Sequence, residues 1–187
     1  MDALSIFLRT VRSRSVEHQH AMRVLSRENL VGQMIAVLRQ ELDSMVRVIY
    51  LLTQSAERRA ALIGASVQGG KWHQPNSRAS VTDKELVDLA QNLQGWTLSV
   101  YKFGCSFIHL SGLHDYNDRD PLEQLPAHER ENILDHCRQY YGGPHGDHAT
   151  FTQLVPYLPR VLEKITDNLR HYLAELEKGH LHSADKV

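Results

Sequence analysis

The chain has 187 residues, of which 42% are hydrophobic and 23% charged, and its formal net charge is −1. This length suits one domain with its own core, and the composition excludes wholesale disorder. The near-neutral charge argues against a broad electrostatic interaction with nucleic acid or an anionic membrane. The two cysteines, Cys105 and Cys137, make no disulfide framework, and the first residues resemble neither a signal peptide nor a membrane span. We therefore expect a soluble, cytoplasmic protein with no membrane partner.

Two amphipathic helices are predicted in the first 52 residues. The first covers residues 4–25, where a repeat of three and four residues is apolar except at Ser15 and His18. Because a buried polar group is costly unless it is hydrogen-bonded, we expect both side chains to meet other polar groups inside the protein. Ser26 is a suitable N-cap for the second helix. An unbroken stripe predicts that this helix is the central one, and it consists of Val31, Ile35, Leu38, Leu42, Met45, Ile49 and Leu52.

Loop and capping signals delimit the next helix. Residues 68–81 hold a glycine pair and a proline and are predicted to form a loop. The residues from Thr82 to Glu85 then form a capping box, which predicts a helix that continues to about Ser111. Gly95 is expected to bend this helix.

Two more helices are predicted in the last third of the chain. The segment Asp120-Pro-Leu-Glu is a strong helix-start signal, and a helix is predicted over residues 126–141. The last helix is predicted to begin near Thr152 or Pro156 and to end at Gly179. The pattern as a whole predicts an all-α fold, an antiparallel bundle of four long helices plus short helices.

We expect one helical-bundle domain at residues 1–178 and a flexible C-terminal tail at residues 179–187. The first helix places Phe7 beside Leu8 and carries Ile6 off its main stripe. We expect Phe7 to be exposed there, and such extra apolar surface indicates an interface. The sequence thus predicts a homodimer or a complex with a partner protein.

The densest run of acid–base residue types lies at residues 101–120. His109 falls near the predicted helix end, and His114, Asp115 and Arg119 follow it. Clustered acid–base groups at the mouth of a bundle suit a small catalytic site, so these residues are candidate catalytic groups. The alternative is that His109 is a core histidine and that the residues after it form a solvated turn.

A metal site is a further candidate. His145 and His148 flank Asp147 in one loop, and His109, His114 and His136 could approach it in a bundle. No HExxH motif supports this interpretation. No glycine-rich phosphate loop occurs either, so no cofactor is expected.

The pattern Tyr101-x4-Ser106-x2-His109-Leu-Ser111, in a helical protein of this size, resembles the HEPN superfamily, including abortive-infection-type members. The resemblance implies an all-α bundle that is often dimeric. It also implies a metal-independent ribonuclease of antiphage or toxin–antitoxin defence, or an inactive binding module. The family's catalytic arginine and histidine, separated by four to six residues, match Arg130 and His136.

Three functions therefore compete. The first is a HEPN-like ribonuclease acting on RNA, with histidine as acid–base and arginine holding phosphate. The second is a non-catalytic helical protein-interaction module. The third is a small histidine-based metal-binding bundle. The low net charge favours the second slightly, because RNA cleavage needs at least a local basic groove.

Overall fold

The computed structural model describes residues 2–146 and 148–181. It is all-α, as the sequence predicts. The helices are α1 (Ala3–Arg27), α2 (Val31–Leu52), α3 (Ala56–Val67), α4 (Asp83–Gln94), α5 (Thr97–Ile108), α6 (Ala127–Tyr141), α7 (Phe151–Leu154) and α8 (Leu158–Glu177). Short 3₁₀ turns lie at Gly112–His114 and Val155–Tyr157. Among the described residues, no helix is both long and apolar enough to cross a membrane.

The second helix is the centre of the fold, which confirms the prediction from its apolar stripe. It packs against α1, α4, α5 and α8, and most of its side chains are buried. Burial on several faces explains why its apolar residues extend beyond a single stripe.

The polar break in the first stripe is also confirmed as predicted. Ser15 and His18 are both buried, and both bond the carboxylate of Glu41 on α2, whose side chain is 0% exposed. The Ser15 hydroxyl donates to Oε1 at 2.5 Å, and His18 Nδ1 lies 2.6 Å from Oε2. Thr166 of α8 donates a further bond to Oε1 at 3.1 Å. One buried carboxylate therefore ties α1 and α8 to the central helix.

The helix predicted from Thr82 to about Ser111 is two helices, because Gly95 ends the first in a left-handed conformation (φ 69°). Such a conformation suits glycine and stops helical hydrogen bonding. The Gln91 side chain bridges the break: Oε1 accepts from the Leu98 N–H at 2.8 Å, and Nε2 donates to the Gly95 carbonyl at 2.7 Å. The capping box at Thr82 is present as predicted.

Two other boundaries differ from the prediction. Ser26 does not cap α2, because α1 continues through it and α2 begins at Val31 without a side-chain cap. No helix begins at Asp120, whose carboxylate instead closes a turn at Leu122 and accepts the Phe151 N–H.

The chain ends and the predicted interface also need comment. Gly179 follows the last helix with φ 75°, as predicted. Residues 182–187 of the predicted tail lie outside the described residues. Phe7 is 8% exposed, so the expectation of its exposure is wrong: it packs inside the chain, while Ile6 is half-buried.

Candidate functional site

The four candidate residues after α5 do not form a bonded cluster. His109 is exposed at the C-terminal end of α5. The His114 ring packs on Phe107 with 5.5 Å between centroids, and its Nε2 lies 3.1 Å from the Phe107 carbonyl oxygen. The side chains of Asp115 and Arg119 are exposed and have no hydrogen bond or ion pair within the part of the chain that the structure describes.

Aromatic packing holds this segment in place. Phe107 contacts His114, Tyr116 and Phe151, and Tyr116 also meets Phe151 at 6.0 Å between centroids. The Asp120 carboxylate fastens the end of the segment to the start of α7. Three residues of this segment, His114, Tyr116 and Asp120, therefore have structural partners.

The Arg130–His136 pair lies entirely on α6. Six positions along an α-helix amount to a net rotation of about 120°, so the two side chains leave α6 on different faces. Arg130 is half-buried and has no ion pair among the described residues. His136 instead contacts three aromatic rings, Trp96 at 6.0 Å, Tyr140 at 4.5 Å and Tyr141 at 5.8 Å between centroids.

His136 lines a half-open cavity of about 440 Å³. This volume lies in the range of small-molecule sites. The cavity is bounded by α2, the junction of α4 and α5, α6, and the region from α7 into α8. Its apolar wall is formed by Ile35, Leu38, Phe103, Leu154, Leu158 and Val161.

The helix break at Gly95 builds one side of this cavity. It places Trp96 directly before α5, where the indole is buried and contacts the His136 ring. An uninterrupted helix would continue α4 instead of turning at this point. The bonds of Gln91 described above therefore fix the position of an aromatic residue at the site.

Burial and the nearby Lys164 charge lower the pKa of His136. The imidazole is therefore neutral at neutral pH, with one N–H donor and one lone-pair acceptor. Neither ring nitrogen has a hydrogen-bond partner among the described residues. A half-buried polar group of this kind can bond a ligand that enters the cavity.

Two further titratable groups near His136 are uncharged, and the carboxylate at the cavity edge is paired. Burial raises the pKa of Cys137 to about 11, so it is a neutral thiol. Burial, together with Cys137 and Tyr140, also raises the pKa of Tyr141. Asp135, the carboxylate at the cavity edge, is 71% exposed and pairs with Arg138. No lysine or arginine is among the described residues that line this cavity.

Sequence reasoning found His136 and missed its surroundings. Trp96 and Tyr140 flank the ring, but their positions depend on how α4, α5 and α6 pack. The sequence signal for Trp96 was its position directly after Gly95, inside the amphipathic segment that was predicted as one helix.

The predicted metal loop is only partly described, because Asp147 lies outside the described residues. Within the described ranges, no group of three or more histidine, cysteine, aspartate or glutamate side chains is arranged to hold a metal ion. The described histidines therefore form no such group.

Comparison with known proteins gives no match. No family model, no curated protein and no solved structure is significantly similar to the chain. The functional argument therefore rests on the geometry of the cavity and its lining.

Proposed function

We propose that this chain is a helical small-molecule-binding protein whose ligand occupies the His136 cavity. The observation that carries the proposal is the neutral, half-buried imidazole, which has no hydrogen-bond partner among the described residues. An apolar cavity with a few convergent polar groups and a perturbed titratable residue is the usual form of a ligand site.

The lining selects the kind of ligand. Trp96 and Tyr140, which contact the His136 ring, supply aromatic surface to the cavity. Without a lysine or arginine among the described lining residues, an anion gains no charge partner there. The ligand is therefore an uncharged aromatic molecule with one hydrogen-bonding atom for His136.

Quinoline and naphthalene test this assignment, because they have the same shape and only quinoline has a ring nitrogen that accepts a hydrogen bond. We expect the chain to bind quinoline about tenfold more tightly in calorimetry, the value of one net hydrogen bond. His136→Leu removes the preference, and the control His20→Gln, at an exposed site on α1, retains it. A preference for quinoline that is as large in His136→Leu as in the wild-type chain, or no binding of either compound, would overturn the proposal.

A metal-independent ribonuclease of HEPN type is the second candidate, and its role would lie in antiphage or toxin–antitoxin defence. One observation favours it: the histidine of the Arg130–His136 spacing lines the cavity and is neutral, the form that a general base requires. His136 would take the proton of an RNA 2′-hydroxyl, whose oxygen would attack the adjacent phosphorus to form a 2′,3′-cyclic phosphate, and the protonated His136 or water would give a proton to the departing 5′-oxygen. Arg130 leaves α6 on a different face, so it would contact a neighbouring phosphate of the RNA.

Labelled single-stranded RNA with a metal chelator tests this candidate. Cleavage by the wild-type chain should fall by at least about a hundredfold in His136→Ala, the usual contribution of a general base, and persist in His20→Gln. Intact RNA after incubation with the wild-type chain contradicts it.

A homodimer or partner-protein complex and a cytoplasmic location stay predictions, as does a protein-interaction role.

A further inference from the structure

A second cavity, of about 600 Å³, lies between α1, α2 and the loop that joins α3 to α4. It shares no lining residue with the His136 cavity. Its floor includes Phe7 and Trp72, which are both buried, and its rim is polar. The charges on that rim determine what it can bind.

Asp43, Arg47 and Asp83 line this cavity, and their charges are balanced together with Arg39, which is not among the described lining residues. Asp83 Oδ2 accepts from Arg39 at 3.1 Å, and its Oδ1 accepts from Arg47 at 2.9 Å. Asp43 lies 3.0 Å from Arg47 and 4.0 Å from Arg39. Both carboxylates are therefore occupied by guanidinium groups of α2.

Two cations remain in excess. Arg14 of α1 and Lys71 of the loop both line the cavity, and neither has a carboxylate partner among the described residues. Arg14 uses its Nε to contact His18 Nε2 at 3.5 Å, which leaves its terminal nitrogens available. Cations that approach from separate elements suit one bound anion such as a phosphate group.

The hydroxyl groups of the lining favour a ligand with its own hydroxyl donors. Thr10, Ser44 and Ser66 line the cavity and donate their hydroxyl protons to main-chain carbonyls of their own helices, at 2.9, 3.3 and 3.1 Å. Each oxygen therefore offers only lone pairs to a ligand, and one lone pair of Ser66 Oγ already accepts the Trp72 Nε1–H at 2.8 Å. Trp72 is 5% exposed and presents little ring surface on which a nucleobase could stack.

We propose that this cavity binds a phosphorylated polyol, such as a sugar phosphate. Arg14 and Lys71 hold the phosphate. The hydroxyl oxygens of Thr10, Ser44 and Ser66, whose protons already bond main-chain carbonyls, accept hydrogen bonds from the hydroxyls of the sugar. The proposal uses none of the residues of the His136 cavity, so either one can fail without the other.

Calorimetry with glucose 6-phosphate, glucose and inorganic phosphate tests the proposal. We expect glucose 6-phosphate to bind more tightly than either of its parts. Arg14→Gln and Lys71→Gln should each weaken it by about tenfold or more, whereas Arg170→Gln, an exposed arginine of α8 paired with Asp167, should leave it unchanged.

Lys71 is exposed and makes no hydrogen bond among the described residues, so Lys71→Gln should keep the fold, as circular dichroism can verify. Thr10→Val tests the polyol half: it should reduce the preference for glucose 6-phosphate over phosphate. Three results would overturn the proposal: no binding by the wild-type chain, equal weakening in Arg170→Gln, or phosphate binding as tightly as glucose 6-phosphate.

Discussion

Replacing Glu41 tests whether one buried carboxylate holds the bundle together. Glu41→Ala would leave the Ser15 and Thr166 hydroxyls and the His18 ring without their acceptor, all three in buried positions. An unsatisfied buried donor costs about 1–3 kcal/mol, and three such groups lose their acceptor here. We expect a loss of about 4 kcal/mol, a large part of the roughly 5–15 kcal/mol that stabilises a typical domain.

Urea unfolding followed by the helical circular dichroism signal measures this loss. Glu41→Gln keeps one acceptor oxygen for the two hydroxyls, so it should lose only about 1–2 kcal/mol. Glu17→Ala, an exposed glutamate of α1, is the matched control and should change stability by less than about 0.5 kcal/mol. If Glu41→Ala unfolded at the same urea concentration as wild type, the cluster would have no role in stability.

Three further predictions follow from the described contacts. Because burial lowers the pKa of His136 below its ordinary value of 6.5, the unfolded chain binds the proton more readily, and stability should fall as pH drops through about 6.5. As the pH is lowered through this range, the melting temperature should fall less steeply in His136→Gln than in the wild-type chain. The same dependence of melting temperature on pH in both chains would contradict the lowered pKa of His136. Gly104→Ala would place its Cβ 2.9 Å from a side-chain carbon of α2 and should cost about 1–3 kcal/mol in urea unfolding. Gly64→Ala meets no atom of the described residues within 4 Å and should stabilise its helix by about 0.5–1 kcal/mol. Equal effects of the two glycine variants on stability would refute the close approach of α5 to α2 at Gly104. Iodoacetamide at mildly alkaline pH should modify half-buried Cys105 before Cys137, which is buried and whose pKa lies at about 11. Mass spectrometry that finds Cys137 labelled first would contradict its burial.

The sequence predicted the features that local chemistry controls. Apolar spacing identified α2 as the central helix, and the Thr82 capping box marked the start of α4. The polar break at Ser15 and His18 predicted buried polar partners, and they were found. Their shared acceptor, Glu41, was missed because it lies on another helix and nothing in its local sequence distinguishes it from an exposed glutamate.

Features that depend on packing between helices were predicted less well. Gly95 was expected to bend a helix, and whether glycine bends or ends one depends on the side chains that satisfy the freed backbone groups, here Gln91. The run around His114 and Asp120 suggested chemistry because residue type alone does not separate a catalytic group from one that fastens a loop. His136 was the one predicted site residue that lines the cavity between α5, α6 and α8.

The most direct test of the central claim is a crystal structure of the chain with quinoline bound. We expect the ligand in the cavity that Trp96, His136 and Tyr140 line, with its ring nitrogen about 3 Å from a ring nitrogen of His136. Quinoline bound only outside this cavity, or a cavity that stays empty at saturating quinoline, would contradict the assignment of His136 to a ligand site.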